Sequence, residues 1–514
     1  MFNIPKPRIR NFYVKDSVAY TEDRKVVRRL KLCSTCPFLE QTLASHLSTF
    51  GTVEECHWDP DKLEGSVLYK EATEAAKALY CNRQTVNGRY LTLQACDTWD
   101  QPDEQDNPDS KSAYDLPVVD DIWRKVLEYL PLDSRLNFAS SCQRFQDIYK
   151  MESQRLSKVI KMDDVCKLTN WAIRRMMQHS GKHIKRLEGG PIHSQWKHLL
   201  TFANFLGLSA KNLTELHFDY IPLTTTHMIN LFHRPSCLNN ITNLSLRHCD
   251  ITDQHFMCLV SLTKLKSLDI GENTGIRGDM FCLLPSALEN LNVNRCENLE
   301  YSRLSFVGSY QLRELHCSEI RVLDFNRLWV DNDQLEVLAQ EGHVYSNLTH
   351  WCPSLEVLEV SVCPYLDEPE LGKLSHLRKL VLRSVPLEPL PYQVNNSLLM
   401  ALVELDSLRH LEFQQAGPAF VDGKGLRIIS LLKELRTLIL RNQNFKANEL
   451  MELRKLNALE YLDLSDSTNL SNEIVVELAK ALRRLRRFKV KRCPLISSRL
   501  TQILKDIPLL QVDV

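Results

Sequence analysis

A spaced-leucine pattern, L-x-x-L-x-L, dominates this sequence from residue 213 to its last residues and limits the folds open to it. Apart from one gap, successive copies start about 22 to 31 residues apart, a period typical of solenoid repeats. Alternation predicts a short strand in each copy, with the leucines inward, the intervening residues on a concave surface and helices such as 472–485 on the convex side. The copies begin at Leu213, Ile241, Leu265, Leu288, Leu312, Leu355, Leu377, Leu408, Leu435, Leu459, Leu485 and Leu509.

The repeat has a weak beginning, an interruption and a recurring cysteine. The segment around Ile184 is interpreted as a degenerate first repeat, and residues 321–347 as either a degenerate repeat or a protruding loop. Because the repeats supply no His/Cys cluster at ligand spacing, the cysteines after the strands are predicted to be small buried spacers and not metal ligands. These cysteines are Cys249, Cys296, Cys363 and Cys493.

The segment Leu116–Tyr149 carries more apolar surface than so short a stretch can bury alone. Its first helix is predicted between Val119 and Leu130, with Pro131 ending it and Asp133 as the N-cap of a second helix. A third, short helix carries Phe145, Ile148 and Tyr149. The apolar residues of the first helix fall at helical spacing and are Ile122, Trp123, Val126, Leu127, Tyr129 and Leu130. This surplus apolar face predicts docking on another chain, and the alternative is a helical spacer that packs on its own neighbours.

This segment resembles the F-box. The resemblance is carried by Leu116-Pro117, the Ile122/Val126 spacing, the Leu130-Pro131 break, Asp133, Leu136 and the ending Cys142–Phe145. Two positions depart from the family: Val119 stands where an acidic residue is usual, and Phe145 replaces the commoner Trp. The run CPSLEVLEVSVCPYLDEPEL from Cys352 resembles the cysteine-containing leucine-rich repeats that follow F-boxes. The resemblance to F-box/leucine-rich-repeat proteins therefore covers residues 116–514.

The resemblance implies a substrate receptor of an SCF-type ubiquitin ligase, in which the F-box docks a Skp-type adaptor on a cullin scaffold and the repeats hold a protein target. It implies adaptor contacts from Leu116, Pro117, Ile122, Val126, Leu130, Pro131 and Leu136. The sequence contains no phosphate loop, HExxH motif, paired C-x-x-C set or supported catalytic triad, so neither an enzyme nor a cofactor or metal site is predicted.

Residues 28–96 predict a separate α/β unit with the element order β-α-β-β-α-β. The strands are predicted at 28–34, 52–58, 65–70 and 87–95, and the helices at 37–51 and 71–80. This order, the Asn87-Gly88 turn and the helix opening at Glu71 resemble the RNA-recognition motif, which has a ferredoxin-like fold.

The binding face of that unit departs from the RNA-recognition motif. The places of the base-stacking aromatics hold Lys31, Glu64 and Ser66, while Tyr69 is predicted to be core. Since stacking contributes roughly 1–3 kcal/mol per base, RNA binding is not predicted, and a protein-interaction role is preferred. A lone Cys33-Ser34-Thr35-Cys36 is a weak indication of a redox or zinc pair.

The predicted domains are an RNA-recognition-motif-like domain (1–96), an acidic flexible linker (97–112), the F-box (113–155), a helical connector (156–182) and the solenoid (183–514). The linker predicts that the first domain is tethered and not fixed relative to the F-box.

Charge and targeting patterns point to a cytoplasmic or nuclear protein. Lysine plus arginine and aspartate plus glutamate balance at 64 each, so bulk charge predicts neither nucleic-acid nor membrane binding. No signal peptide or bilayer-spanning stretch is predicted, and the 16 cysteines are therefore expected to be reduced.

Strand alternation predicts the target-binding surface. The concave positions of the later repeats include Lys379, Arg383, His410, Glu412, Arg441, Tyr461, Asp463, Arg487, Lys489 and Lys491. Because this face ends in RRLRRFKVKRC, it is predicted to be strongly basic and to receive an acidic or phosphorylated target segment. The alternative is a solenoid end charged for solubility. Two other functions remain open: an RNA-associated adaptor, and an interaction scaffold with a vestigial F-box.

Overall fold

The structure is a computed structural model and describes residues 11–21, 24–102, 118–190, 196–232, 238–300, 303–304, 307, 311–320, 352–362, 371–384, 394–414, 416–417, 419–497, 499–507 and 509–514. The chain divides into two compact units, Met1–Lys185 with Trp196–Asn212, and Arg186–Gln195 with Leu213–Val514. The first unit contains two small sheets and a group of helices, and the second is built on one long parallel sheet.

The strands of the first unit are β1 (Tyr13–Lys15), β2 (Val18–Tyr20), β3 (Arg29–Ser34), β4 (Val53–Asp59), β5 (Glu64–Tyr69), β6 (Arg83–Val86), β7 (Arg89–Ala95) and β8 (Val159–Lys161). Its helices are α1 (Glu40–Leu47), α2 (Ala72–Tyr80), α3 (Asp120–Tyr129), α4 (Leu132–Ala139), α5 (Gln143–Leu156), α6 (Met162–Val165), α7 (Asn170–Ser180) and α8 (Leu199–Ser209).

Strands β3 to β7 form an antiparallel sheet in the order β4-β5-β3-β7-β6. Together with α1 and α2 they give the predicted β-α-β-β-α-β order, and β6 is an additional strand. Alternate residues of β3, including Leu30 and Leu32, are buried against the helices. Asn87 and Gly88 both have positive φ, at 49° and 75°, which suits the tight turn between β6 and β7. Tyr69 is buried, as predicted, and its hydroxyl donates to the Leu47 carbonyl at 2.9 Å.

The N-terminal domain continues past the predicted boundary at residue 96. Thr98–Asp100 form a 3₁₀ turn, and the Gln101 side chain is buried beside β3. Its Oε1 accepts from the amides of Arg28 and Arg29, both at 2.8 Å, and its Nε2 donates to the Arg29 carbonyl at 2.8 Å. The start of the predicted flexible linker is therefore ordered, because its amide side chain satisfies backbone groups at the end of a strand. Residues 103–112 of that linker lie outside the described residues.

Helix α7 contacts the N-terminal sheet within the same unit. The Arg174 guanidinium donates to Gln94 Oε1 on β7 at 3.3 Å. Trp171 and Arg174 line a small cavity of about 30 Å³ together with Cys96 and Asp97. The expectation of a freely tethered first domain is thus wrong for the structure, since the predicted connector packs on that domain.

Helices α3, α4 and α5 occupy the predicted F-box segment. Helix α3 ends before Pro131, as predicted, but Pro131 is itself the N-cap of α4, and Asp133 lies within the first turn. The third helix is longer than predicted, with 14 residues. The Tyr149 hydroxyl and Ser180 Oγ are 2.8 Å apart in a buried position, which joins α5 to α7.

The strands of the second unit are β9 (Arg186–Glu188), β10 (Glu215–His217), β11 (Asn243–Ser245), β12 (Ser267–Asp269), β13 (Asn290–Asn292), β14 (Glu314–Cys317), β15 (Val357–Val362), β16 (Lys379–Ser384), β17 (His410–Gln414), β18 (Thr437–Leu440), β19 (Tyr461–Asp463), β20 (Arg487–Lys489) and β21 (Gln511–Asp513). Its helices include α9 (Thr225–Phe232), α10 (Phe256–Leu259), α11 (Asn396–Val403), α12 (Gly423–Ile429), α13 (Ala447–Leu450), α14 (Asn472–Ala481) and α15 (Leu500–Ile503).

Each strand from β9 to β21 pairs in parallel with the next one along the chain. The register aligns the inward residues of successive repeats, as in Leu216↔Leu244 and Leu462↔Phe488, so that each repeat buries its leucines against its neighbours. The segment after Ile184 supplies β9, as the sequence predicts for a degenerate first repeat. Strand β14 pairs directly with β15, and residues 321–351 between them lie outside the described residues.

The cysteines after the strands are buried, as predicted for Cys249, Cys296 and Cys493, while Cys363 lies outside the described residues. They also form hydrogen bonds to the preceding repeat: Cys249 Sγ donates to the Phe218 carbonyl at 2.9 Å and Cys296 Sγ to that of Ile270 at 3.3 Å. Burial raises the pKa of both thiols to about 12, so they remain neutral donors.

Candidate docking and target-binding surfaces

Helix α3 carries an exposed apolar stripe, which we call the docking stripe. It consists of Val119, Ile122, Val126 and Tyr129, whose exposed fractions are 65%, 57%, 36% and 78%. Val119 is the N-cap of α3, and the other three lie within the helix at spacings of four and three residues, which places them along one side. Apolar groups of this size are normally buried, so four of them exposed together form a surface suited to a partner.

The neighbouring side of α3 is buried and packs against the other helices of this segment. Leu127 is buried, and Trp123 packs on Phe145 with ring centroids 4.8 Å apart. Phe145 in turn stacks on Phe138 at 4.2 Å. These rings form the small core of the three helices, and Phe145 performs this role at the place where the family commonly has Trp.

Two arginines fix the ends of α3. At its start, Arg144 of α5 donates to Asp120 Oδ1 at 2.9 Å and to the Val118 carbonyl at 2.6 Å. At its end, Arg135 of α4 donates to the carbonyls of Leu127 and Glu128 at 2.9 and 3.2 Å. Since the last carbonyls of a helix lack intrahelical donors, Arg135 satisfies groups that would otherwise be unpaired. The docking stripe is therefore presented by a helix anchored at both ends.

The predicted adaptor-binding residues differ in how exposed they are to solvent. Ile122, Val126 and Pro131 are exposed, and Leu130 is half-buried. Leu136 is only 2% exposed and belongs to the core, so the prediction of a direct adaptor contact from Leu136 is wrong. Leu116 and Pro117 lie outside the described residues.

Two exposed members of the stripe, Val119 and Tyr129, are not among the predicted adaptor contacts. Their signal was available, since they extend the Ile122/Val126 spacing by three residues in each direction. The departure at Val119 from the usual acidic residue therefore adds apolar surface to the stripe.

The concave surface of the second unit holds the predicted target-binding residues in two lines across the strands. Lys379, His410, Tyr461 and Arg487 share one register position, with Thr437 between the second and third of them. Lys489 occupies the next inner line with Asp463 and Asp513 as its direct neighbours. Arg383, Arg441 and Lys491 follow at the carboxyl ends of their strands.

Arg383 is already engaged in the middle of this surface. It donates to Glu319 at 2.7 Å, Glu359 at 3.0 Å and Gln414 at 2.6 Å. Glu359 is only 8% exposed and also accepts from His316 at 2.9 Å. Burial alone would raise the pKa of Glu359, but the hydrogen bonds from His316 and its other partners lower that pKa to about 2. This buried cluster is a structural network, which leaves Arg383 little capacity for a target.

Three other basic residues on the concave surface are paired as well. Arg487 donates to Asp513 at 3.0 Å, and Arg441 forms an ion pair with Asp463 at 2.8 Å. His410 lies 3.4 Å from Glu412. The prediction that the face ends strongly basic is therefore wrong, because aspartates on adjacent strands neutralise its arginines.

Two lysines at the end of this surface have no carboxylate within ion-pairing distance among the described residues. Lys489 lies over the Tyr461 ring with its Nζ 5.6 Å from the centroid. Lys491 is exposed. Among the described residues, these two lysines are members of the predicted basic surface for which no ion pair is seen.

The N-terminal sheet carries an ion pair where base-stacking aromatics would lie in an RNA-recognition motif. Lys31 and Glu64 approach to 2.7 Å across β3 and β5, next to Ser66. An exposed aromatic residue that the sequence reasoning missed, Tyr90 on β7, is covered by Arg83, whose Cζ lies 4.1 Å from the ring centroid.

The remaining chemical candidates are weak. Burial raises the pKa of Cys33, the opposite of what a reactive thiolate needs. Among the described residues, no three His, Cys, Asp or Glu side chains are grouped closely enough to hold a metal ion. The described part of the chain also contains no helix with the length and apolar character that crossing a bilayer requires.

Comparison with known proteins identifies one domain. Residues 118–152 match the family model of the F-box domain. None of the curated proteins compared with the chain is a match.

Solved structures that match part of this chain include an internalin (InlF) from Listeria monocytogenes, with 18% identity over 66% of this chain and 92% of that chain, at a TM-score of 0.39. The Rad7 and Elc1 complex from yeast matches with 14% identity over 76% of this chain and 90% of that chain, also at 0.39. A TLR13–ssRNA13 complex matches with 17% identity over 67% of this chain and 50% of that chain, at 0.37.

The parallel sheet of the second unit is consistent with a leucine-rich-repeat solenoid. Residues 118–152, with the docking stripe on their first helix, are an F-box domain.

Proposed function

We propose that this protein is the substrate-recognition subunit of an SCF-type E3 ubiquitin ligase. The F-box domain docks a Skp-type adaptor carried by a cullin, and the solenoid holds a protein target for ubiquitination and proteasomal degradation. The observation that supports this function most strongly is the docking stripe, because it lies on the first helix of a segment that matches the F-box domain family.

The physical basis of adaptor docking is burial of apolar surface. Complete burial of a fully exposed large apolar side chain contributes about 1.5–3 kcal/mol, and the four members of the docking stripe, which are 36–78% exposed, each contribute a part of that. Because α3 is anchored by Arg135 and Arg144, little ordering is needed on binding. Such a surface favours an apolar groove of a partner over a charged one.

The proposed role of the chain in ubiquitination is positioning and not bond-making. A receptor that holds its target beside a ligase-bound conjugating enzyme raises the effective concentration of the target lysines. No side chain of the receptor needs to enter the reaction, and no cofactor is required. We place this activity in the cytoplasm, the nucleus or both.

The joint between the F-box domain and its connector suits a fixed spacing. The buried Tyr149–Ser180 contact links α5 to α7, and Ile173 and Met176 of α7 are buried within the same unit. A receptor that positions its target gains from such a joint, because positional freedom lowers the effective concentration.

The test is co-purification of the tagged full-length chain with the Skp-type adaptor and cullin from cells. Wild type is compared with Ile122→Asp/Val126→Asp, which introduces charge into the docking stripe, and with Asn137→Asp as a matched control at an exposed position of α4. We expect wild type and the control to recover both proteins and the stripe variant to recover neither. Failure of a folded wild type to recover the adaptor would contradict the proposal and favour an interaction scaffold with a vestigial F-box.

A further inference from the structure

The concave surface contains a cavity of about 300 Å³ at the carboxyl ends of β17 and β18. Its lining includes Glu412, Phe413, Gln414, Ile439, Arg441 and Asn442. Ile439 points to the concave side yet is only 8% exposed, so it forms an apolar floor beneath polar walls. A cavity of this size accepts a single side chain of a bound polypeptide.

Arg441 stands at the edge of this cavity in a fixed orientation. Its Nε and Nη2 both lie 2.8 Å from the same oxygen of Asp463, whose side chain is fully buried. The Arg441 side chain itself is 49% exposed. The buried carboxylate holds one edge of the guanidinium, and the third nitrogen, Nη1, has no hydrogen-bond partner among the described residues, so it can donate to a ligand oxygen.

Lys491 provides a second cation in line with Arg441. The parallel register of Thr437, Tyr461 and Arg487 places Arg441, Ser465 and Lys491 at equivalent positions after β18, β19 and β20. Arg441 and Lys491 are therefore separated by two strand spacings, or about 10 Å. Ser465 between them is small and uncharged, which leaves the path across the strands open.

We propose that this site binds an acidic protein segment in polyproline II conformation, which crosses β18 to β20 with two carboxylates three residues apart. A polyproline II chain has three residues per turn and advances about 3.1 Å per residue, so carboxylates three residues apart lie on the same side of the segment, about 9 Å from one another, close to the distance between the two cations. A small apolar side chain of the segment enters the cavity above Ile439. As a statement about the target, this site rests on the proposed function of the chain as a receptor.

The distribution of charge distinguishes this ligand from nucleic acid. A nucleic acid requires a continuous basic track along its backbone. Here Lys489 and Lys491 are near one another, but Asp463 and Asp513 lie on both sides of Lys489 and interrupt the positive charge. Isolated cations at a defined separation select a peptide with spaced carboxylates over a closely charged phosphate chain.

The cations elsewhere on the concave surface do not offer the same arrangement. Arg383 has three acceptors of its own, which a ligand would have to displace. Arg487 is held by Nε and Nη2 against Asp513 much as Arg441 is held against Asp463, but the position two strands away from Arg487 is Thr437 and supplies no second cation. The line from Arg441 to Lys491 is therefore where binding requires the least rearrangement.

Fluorescence anisotropy of the full-length chain tests the proposal with defined probes. The first is a fluorescein-labelled twelve-residue peptide with Glu at every third position and Ser, Gly and Ala between. The second has the same composition with its glutamates adjacent, and the third is a twelve-nucleotide single-stranded RNA. We expect the spaced peptide to bind wild type more tightly than either of the others.

The variant Arg441→Gln/Lys491→Gln removes both cations and should weaken binding of the spaced peptide about tenfold. Arg483→Gln/Arg484→Gln is the matched control, with the same charge change at two exposed positions just before β20, and should bind like wild type. Because Arg441→Gln leaves Asp463 buried without its guanidinium, Lys491→Gln alone provides a second test, with a loss of about threefold expected.

Three results would overturn the proposed site: equal binding by wild type and both cation variants, equal losses in the control, or tighter binding of RNA or of the adjacent-glutamate peptide. Absence of measurable binding of the spaced peptide by wild type would also overturn it. Adaptor co-purification with the same chains separates the two proposals. If wild type recovers the adaptor normally but does not bind the spaced peptide, only this site is contradicted. If wild type does not recover the adaptor, the receptor function is contradicted.

Discussion

The docking stripe and the concave surface present opposite kinds of binding chemistry. The stripe leaves four apolar side chains in water on one anchored helix. The concave surface displays many charges, but the strands on either side supply carboxylates that pair with Arg383, Arg441 and Arg487. Covering the first surface with a complementary groove is favourable by itself, whereas binding to the second is favourable only where a ligand reaches a donor that no internal partner already uses.

This difference teaches that charge counted along a sequence is a poor guide to a binding surface in a solenoid. Parallel strands bring residues from successive repeats within about 5 Å of one another, so an arginine in one repeat is neutralised by an aspartate in the next. An exposed apolar residue cannot be neutralised in this way. The apolar surface is therefore the more reliable indicator of a partner.

The largest expected effect is a loss of stability, and it distinguishes the docking stripe from the core beneath it. Leu136→Ala should lower the stability of the three-helix segment by about 3–4 kcal/mol, because Leu136 is buried and its truncation leaves a cavity. Ile122→Ala should change stability by less than about 0.5 kcal/mol, because Ile122 is exposed. Hydrogen exchange of α3 to α5, measured by mass spectrometry, checks both. Equal protection in the two variants would show that the stripe is part of the core.

The next effect tests whether the buried cluster on the concave surface is structural. Glu359→Gln should destabilise the second unit by roughly 3 kcal/mol, because it removes the carboxylate that pairs with Arg383. Arg436→Ala is the contrast, since its pair with Glu460 is exposed and should contribute less than about 0.5 kcal/mol. Urea denaturation followed by circular dichroism at neutral pH provides the comparison.

The same cluster predicts a pH dependence. The pKa of Glu359 is lowered from 4.5 to about 2 in the folded chain, so its contribution is fully present above pH 4.5 and is lost as the pH falls toward 2. Glu359→Gln should therefore flatten the loss of stability in this window, while Arg436→Ala keeps the wild-type slope. An unchanged slope for Glu359→Gln would contradict the assignment.

A smaller effect concerns the end of the N-terminal domain. Gln101→Ala removes a buried amide that satisfies backbone groups of Arg28, Arg29 and Cys96, and should cost about 2 kcal/mol. The measurement is amide exchange at Arg28 and Arg29, compared with Asp61→Ala as an exposed control. Wild-type protection at these amides would mean that residues 98–101 do not belong to the domain.

The sequence predicted the parts of the fold that repeat or alternate. The leucine pattern locates the strands of the parallel sheet, and the period-two burial of Leu30 and Leu32 follows from β3. Local signals also located the Asn87-Gly88 turn and the end of α3 at Pro131. These features depend on neighbouring residues in the chain and are therefore visible without the structure.

Features that depend on distant residues were not predictable in the same way. Leu136 was chosen as an adaptor contact from the motif, but its burial follows from how α4 packs in the first unit. The pairing of Arg487 with Asp513 depends on the register of β20 and β21. The contact of Gln101 with β3 joins residues about 70 positions apart, which no local pattern in this sequence indicates.

The measurement that tests the central claim most directly is calorimetric titration of the full-length chain with a purified Skp-type adaptor at several temperatures. Wild type should bind with a negative heat-capacity change, because the docking stripe loses its contact with water. Ile122→Asp/Val126→Asp should lose at least about 100-fold in affinity, and Asn137→Asp should match wild type. Equal affinity of the stripe variant and wild type would show that the adaptor does not bind this helix and would contradict the account.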